Sequence, residues 1–308
     1  MTTTLNFIPS KSQTNKMKIA LITYQDKGKY HAINVQNEDD TLIDFLKSKG
    51  LNITKEIWND EKVNWDNYDL AIIKSPWDYF DLIEDFYAWL AVIERKNVRL
   101  LNPIDIVKWN ADKHYLLDIE NAGLNVTPSI FLSKDDEIDL NIYFQKLNTT
   151  NFIIKPAVSG GSKNTFKVNE NNVLSISEQI KLLIQDENFI VQPFLDEIAE
   201  NGEWSFIFFG GKFSHALLKK AKAGDFRVQH TFGGTVHLQQ PATELVAIAQ
   251  LYIDKFAQNC LYARVDGAFV NKQFMLMELE LIEPYLFLDL AKESYENYYQ
   301  ALRHLINK

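Results

Sequence analysis

Tyr262–Pro284, YARVDGAFVNKQFMLMELELIEP, reads as two β-strands around a short turn. Val265, Phe269, Phe274, Met275 and Leu276 are strand formers, and Asn271-Lys272 is turn chemistry. Side chains two apart on a strand share a face. Glu278 and Glu280 therefore point one way, while Met277, Leu279 and Leu281 point the other and supply the buried side. A three-residue loop at Asn271–Gln273 sets Asp266 across from Glu278 and Arg264 across from Glu280. A two-residue loop breaks that pairing unless a bulge restores it. Three carboxylates this close repel unless a cation sits among them. Hard oxygen ligands left partly open suit magnesium held jointly with a substrate phosphate. The plainer reading is a solvated acidic strand face.

Around this hairpin lies a chain of 308 residues, long enough for two or three compact units. With 46% hydrophobic and 13% aromatic residues it is an ordinary folded protein. A net charge of −9 argues against nucleic acid or an anionic membrane as the main partner. A phosphate-bearing ligand then needs a local basic pocket. The single cysteine, Cys260, cannot form an internal disulfide and fits a reducing compartment, the cytoplasm. It is expected as a packed residue of an apolar helix. Residues 1–16 are polar, without a signal-peptide core, and read as a disordered N-terminal extension. No apolar run approaches the roughly 18 residues that span a bilayer.

From residue 17 the pattern is α/β. Met17–Tyr24 is an apolar run of strand length, as in a strand buried on both faces. Asp39-Asp40-Thr41 is read as the cap of a helix carrying Leu42, Phe45 and Leu46 and ending at Gly50. Leu51–Trp58 is a second, edge strand. Tyr68–Lys74 is another buried strand, running into Ser75-Pro76-Trp77-Asp78-Tyr79. Helix Leu82–Lys96 carries core residues Phe86, Leu90 and Ile93. This makes an open α/β unit through about residue 105, with its ligand crevice at the carboxyl ends of the strands. Trp77, Asp78 and Tyr79 sit at such an end, as substrate contacts or as a loop with one capping Asp and two half-buried rings.

Asn102-Pro103 marks a boundary. Trp109–Gly123 reads as one helix with Lys113 in its first turn, where a cation is unfavourable unless solvated or reaching for an anion. Asn151–Pro156 is a strand containing Lys155, followed by a small-residue turn, Ala157–Asn164, and a return strand Thr165–Val168. Such a turn can wrap its N–H groups around phosphate oxygens or be a plain hairpin. It is not a Walker A loop. After a helix at Ser175–Gln185, Asn188–Leu195 is a strand that Pro193 places on an exposed edge. A free backbone beside Phe194 suits the edge of an adenine ring. Gly202–Phe209 pairs with Lys212–Lys220. Lys219, Lys220, Lys222 and Arg227 gather in a glycine-punctuated loop, a clamp for a transferring phosphoryl group or an ordinary solvated loop. His230 and His237 flank it without the partners of a zinc site. Helices Thr243–Gln258 and Tyr295–Ile306 complete the chain.

Taken together, SPWDY, WNADK, FIIKPAVSGGS, GDFRVQ and MELELIEP resemble the ATP-grasp superfamily, from about Met17 to the C-terminus. The likeness is to the glutathione-synthetase-like carboxylate–amine ligases, within them the group containing the D-cycloserine-forming ligase. The resemblance implies an open α/β pre-ATP-grasp domain at 17–108, then a two-lobed ATP-grasp fold with a central lobe at 109–190 and a C-terminal lobe at 191–308. It implies ATP and magnesium, two ions, as cofactors. Lys113 and Lys155 match the phosphate-binding lysines. Ser159, Gly160 and Gly161 lie in the small-residue loop. Gln192, Pro193, Phe194 and Leu195 match the adenine-binding hinge, and Glu203 the ribose position. Asp266, Glu278 and Glu280 match the metal ligands; Arg227, near the γ-phosphate, and Arg264 are the catalytic cations. Lys74, Ser75, Trp77, Asp78 and Tyr79 are the substrate candidates. Two positions depart from the pattern: the last metal position is commonly Asn but is Glu280 here, and Lys74 stands where Arg is expected, losing a bidentate grip.

The activity so implied is ATP-dependent carboxylate–amine ligation through an acyl phosphate, with an amino-acid-like substrate and a homodimer as an allowed assembly. An ATP-grasp kinase and a non-catalytic nucleotide-binding module are the rival readings. A metal-dependent hydrolase gives no account of the Lys155 loop.

Overall fold

The computed structural model describes residues 17–28, 33–222, 227–228 and 233–308, with residues 33–36 described in backbone only. The expected extension at 1–16 and much of the basic loop, His230 included, lie outside the described residues.

The first unit is a parallel sheet of order β2-β1-β3-β4, from β1 (Lys18–Thr23), β2 (Asn52–Ile57), β3 (Leu70–Ser75) and β4 (Arg99–Leu101). Alternation along β1 explains why its run is uniformly apolar. Ile19 and Leu21 pack with Leu42 and Leu46 of helix Ile33–Ser48, while Ala20 and Ile22 pack with Phe86, Leu90 and Ile93 of helix Ile83–Arg95. The sequence pattern misses β4, which is only three residues long.

The first helix also begins at Ile33 rather than at an Asp39 cap. Glu38 and Asp39 are buried within it, with Lys74 as counter-ion at 2.9 and 3.2 Å. A carboxylate facing a lysine of β3 belongs inside the helix, and that partner is invisible to local capping rules.

The second sheet, β5-β8-β6-β7, is antiparallel and uses β5 (Ile130–Leu132), β6 (Asn151–Pro156), β7 (Phe166–Asn169) and β8 (Phe189–Pro193). Phe152 and Ile154 of β6 face a core with Val173 and Ile180 of helix Val173–Leu183. Ile153 and Lys155 take the opposite face. Pro193 does not make β8 an edge: the strand lies between β5 and β6. Pairing with β5 stops at Val191, however, so the proline falls where that side has no ladder partner to lose.

The third sheet has order β11-β10-β9-β12-β13, from β9 (Glu203–Phe209), β10 (Lys212–Lys220), β11 (Thr235–Gln239), β12 (Tyr262–Val270) and β13 (Gln273–Glu280). Phe206, Phe208 and Val265 pack with Ala249, Tyr252 and Ile253 of helix Thr243–Phe256. On the other face Ile207, Phe209 and Tyr262 meet Tyr298, Ala301 and Leu302 of helix Ser294–Ile306. Cys260 lies beyond the helix expected to hold it, in the link to β12; it is buried, and burial pushes its thiol up to about 12.

The β12–β13 hairpin turns on two residues, not three. Asn271 and Lys272 both have positive φ, 50° and 66°, the geometry that matches strand twist in a two-residue connection. Asp266 nevertheless faces Glu278, and Arg264 faces Glu280, because a bulge between Asp266 and Gly267 leaves Met277 unpaired. The bulge also turns Met277 away from the Leu279 core and toward Leu195, Ile198 and Val228. Gly267 makes this possible: a β-carbon there would stand 2.4 Å from the Met275 carbonyl oxygen and 2.6 Å from Phe274 Cζ. Gly267→Ala is expected to lower stability by about 1–3 kcal/mol, the range for overpacking. An unchanged urea midpoint would contradict it.

Candidate functional site

A cavity of about 1380 Å³ opens between the second and third sheets, with the first unit closing one end. Its floor is the polar face of the third sheet, where strand alternation brings Glu203, Lys219, Arg264, Asp266, Glu278 and Glu280 together. β13 is an edge strand whose outer backbone is taken by side chains and one loop. Asn110 donates to the Leu279 carbonyl (2.7 Å) and accepts from Leu281 N–H (2.9 Å), the Tyr115 hydroxyl accepts from Leu279 N–H (3.0 Å), and Thr127 N–H donates to the Leu276 carbonyl (2.8 Å). These bonds hold the acidic strand in place.

The cations among the carboxylates are the protein's own. Arg264 Nε and Nη2 donate to Asp266 at 2.8–3.1 Å, and Nη2 also contacts Glu280. Lys219 lies 2.5 Å from Glu203 and 3.3 Å from Asp266. Lys155 donates to Glu278 at 2.9 Å, with Lys113 3.7 Å from the same oxygen. Burial acts to raise Glu278, but Lys155 and Lys113 overcome it and hold the carboxyl at about 2. Asp266 is likewise held low against burial by Arg264 and Lys219. Glu280 goes the other way: burial, with Asp266 and Glu278 nearby, outweighs Arg264 and raises it. Arg264 is shared, and Asp266 takes the larger part of it through two nitrogens.

Lys113 is not in the first turn of a helix. The expected helix is two, Ile104–Asn110 and Tyr115–Asn121, with Lys113 in the turn between. That turn is tied to the small-residue loop by the bond from Lys113 N–H to the Ala157 carbonyl (3.0 Å). The Lys113 ammonium donates to the Ser159 carbonyl at 2.7 Å, and burial lowers its pKa although Glu278 opposes this. Gly160 is pressed against the first unit, where a β-carbon would stand 2.5 Å from Phe80 Cε1. Lys163 of the same loop bridges Asp81 (3.2 Å) and Glu187 (3.5 Å).

Lys113, Lys155, Ser159, Gly160, Gly161, Glu203, Arg227, Arg264, Asp266, Glu278 and Glu280 all line this cavity, as does the run Gln192-Pro193-Phe194-Leu195. So do Trp77 and Tyr79. The rest of SPWDY is placed elsewhere. Lys74 is buried against Glu38 and Asp39, the Ser75 hydroxyl contacts Asp39, and Asp78 accepts from Trp58 Nε1 at 2.7 Å. A buried ammonium with two carboxylates is already neutralised, so it offers no grip on a substrate carboxylate in this arrangement.

Glu283, Tyr285, Phe287 and Asp289, which no motif in the sequence singles out, wall the end of the cavity beside Trp77. A carboxylate one residue before a proline, just past two buried strands, was the available signal for Glu283.

Among the described residues no group of three or more His, Cys, Asp or Glu side chains stands ready as a metal cage. The donor chemistry still fits magnesium: hard oxygens of Asp266, Glu278 and Glu280 share one face, and their present partners are cations that anionic phosphates would draw off.

A nucleotide-sized cleft between two antiparallel sheets, with lysines and a glycine loop facing a carboxylate hairpin, defines the ATP-grasp arrangement. Residues 19–102 match the family model described as D-cycloserine synthetase DcsG, N-terminal domain, and residues 122–268 match that described as Prokaryotic glutathione synthetase, ATP-grasp domain. The chain is 26% identical over 269 residues to the cycloserine biosynthesis protein DcsG of Streptomyces lavendulae, covering 81% of this chain and 88% of that one. The crystal structure of D-cycloserine synthetase DcsG superposes with a TM-score of 0.82 at 22% identity, covering 94% and 99% of the two chains. The ATP complex of D-alanine–D-alanine ligase from Bacillus anthracis gives 0.68 at 16% identity, covering 94% and 99%. Residues 122–268 thus carry an ATP-grasp domain of the glutathione-synthetase kind, and the fold of the chain is that of the ATP-grasp ligases it resembles.

Proposed function

We propose that this enzyme, an ATP-dependent ligase forming C–N bonds, activates the carboxylate of an amino-acid-like substrate as an acyl phosphate and transfers it to an amine or related nucleophile, releasing ADP and phosphate. The observation that carries this is the meeting of Lys113, Lys155 and the Ser159–Gly161 loop with the Asp266–Glu278 pair in one cavity.

Phosphoryl transfer asks little covalent chemistry of a protein; positioned cations do most of the work. Lys113 and Lys155 exchange Glu278 and Ser159 for nucleotide phosphates. The segment Gln192–Leu195, free of β5, offers backbone groups to adenine, and Glu203 exchanges Lys219 for the ribose. Asp266, Glu278 and Glu280 would hold magnesium, as two ions, and the metal would supply neutralisation of phosphate charge. Arg264 and Arg227 face the transferring group. The loop at Ser159–Asn164 keeps water from the acyl phosphate. Trp77 and Tyr79 belong to the substrate end.

Arg227→Ala is expected to lower kcat by about 10²–10³, as for loss of one preorganised donor, with ATP affinity little changed. Steady-state kinetics beside nucleotide titration checks this, and an unchanged kcat overturns the role.

The class is tested by phosphate release with ATP and magnesium across amino acids and amino-acid-like acids, with the nucleotide product identified. ADP with free phosphate and a specific acid supports the ligase; phosphate retained on product points to a kinase; no ADP with any acid revives a non-catalytic nucleotide binder. Among the described residues no helix is long and apolar enough to cross a membrane. We assign the enzyme to the cytoplasm, and a homodimer is checked by sedimentation.

A further inference from the structure

Glu283 is a carboxylate that neither the nucleotide nor the metal assignment uses. It follows Leu281 and Ile282, both buried, and its own carbonyl accepts from Trp77 Nε1 at 3.0 Å, which fixes the backbone against the first unit. Its side chain lines the cavity under the glycine loop, with Oε1 3.3 Å from where a β-carbon on Gly160 would stand. No lysine, arginine or histidine of the described residues comes within ion-pair distance of it, whereas Asp266 and Glu278 each have two such partners and Glu280 has one. It thus stands between the phosphate end, marked by Lys113 and Gly160, and the aromatic substrate end of Trp77 and Tyr79.

We propose that Glu283 receives the ammonium group of the incoming nucleophile and takes its proton as the C–N bond forms. This rests on the ligase reading above. An amine arrives protonated and has no lone pair for attack. One proton passes from nitrogen to the Glu283 carboxylate. The freed amine adds to the acyl carbon, the C–O bond to phosphate breaks, and the second proton leaves with phosphate as HPO4²⁻. Charge and protons balance: acyl phosphate, ammonium and carboxylate become amide, hydrogen phosphate and carboxylic acid.

The surroundings favour a base of this kind. Lys113, Glu278 and Arg264 face Glu283 from the neighbouring turn and strands, Glu280 ends β13 three residues before it, Tyr262 lies toward it from β12, and Tyr79 approaches from the first unit. Burial dominates and pushes its carboxyl up to about 7, with Lys113 opposing. A general base is most effective with a pKa near the working pH. The carboxylate form is lost as pH falls through that value, so the rate falls on the acid side.

The test compares two nucleophiles in parent and Glu283→Gln protein, with both enantiomers of the standard amino acids as acyl donors. The first is the amine of the same amino acids; the second is hydroxylamine, which is largely unprotonated at neutral pH and needs no base. Glu283→Gln is expected to lose about 10²–10⁴ of amine-dependent phosphate release, with the acid limb near pH 7 gone, while hydroxamate formation and ADP affinity stay near parent values. Glu283→Asp recovers part of the loss. Equal losses with both nucleophiles, or an unchanged acid limb, overturn the assignment. Parent protein that makes no hydroxamate from any acid removes the ligase reading itself, and this inference with it.

Discussion

Glu278→Gln is expected to cut magnesium-dependent turnover by about 10²–10³ or more, the scale of losing one preorganised electrostatic element, while the protein still folds. Glu278 is the point where the two lobes meet electrostatically: β13 carries it, Lys155 of β6 donates to it at 2.9 Å, and Lys113 lies at 3.7 Å. Its amide replacement removes a hard anionic oxygen opposite Asp266, and it takes from Lys155 and Lys113 the carboxylate they share. The folding cost is moderated because the Glu278 side chain is 30% exposed, so water takes up part of the exposed charge. Activity near the parent level would sink the metal assignment.

A pH signature reports the pairing of Glu278 with these lysines. In the folded protein the Glu278 carboxyl sits at about 2, below its ordinary 4.5. A depressed carboxylate adds stability that is complete above the unfolded value and is lost as pH falls toward the folded one. The parent should therefore lose stability relative to Glu278→Gln between about pH 4.5 and 2, read from urea midpoints.

Lys74→Met is expected to destabilise by about 3–5 kcal/mol, the cost of removing one partner from a buried ion pair. Glu38 and Asp39 would be left facing each other in a core where both are 0–2% exposed. The consequence reaches the site, because Glu38 also accepts from Leu286 N–H (3.1 Å) and Leu288 N–H (2.8 Å), in the segment that carries Tyr285 and Phe287 to the cavity. A displaced Glu38 releases that segment. Denaturant unfolding decides the matter: a parent-like midpoint with a raised KM for the carboxylate substrate would restore Lys74 as a substrate contact.

Much of the site was legible because its elements are short-range. The alternation in MELELIEP, the Asn-Lys turn and the strand around Lys155 are set by neighbours two to four residues apart. The facing of Asp266 and Glu278 held although the loop is shorter than expected, since Gly267 and Met277 absorb the missing residue in a bulge. The bulge itself depends on Met275 and Phe274 closing on Gly267. No periodicity announces it.

From the sequence alone follow the α/β unit, the two antiparallel sheets' main strands, and the residue types that would hold nucleotide and metal, because burial alternation and turn chemistry act locally. Only the tertiary structure decided which charges neutralise which. Lys74 finds Glu38 across 36 residues and Lys155 finds Glu278 across 123. Both lysines sit on apolar strands, yet one is spent inside the core and the other faces the cavity. A charge takes its role from its desolvation and its nearest counter-charge, and both are fixed only when distant segments pack together.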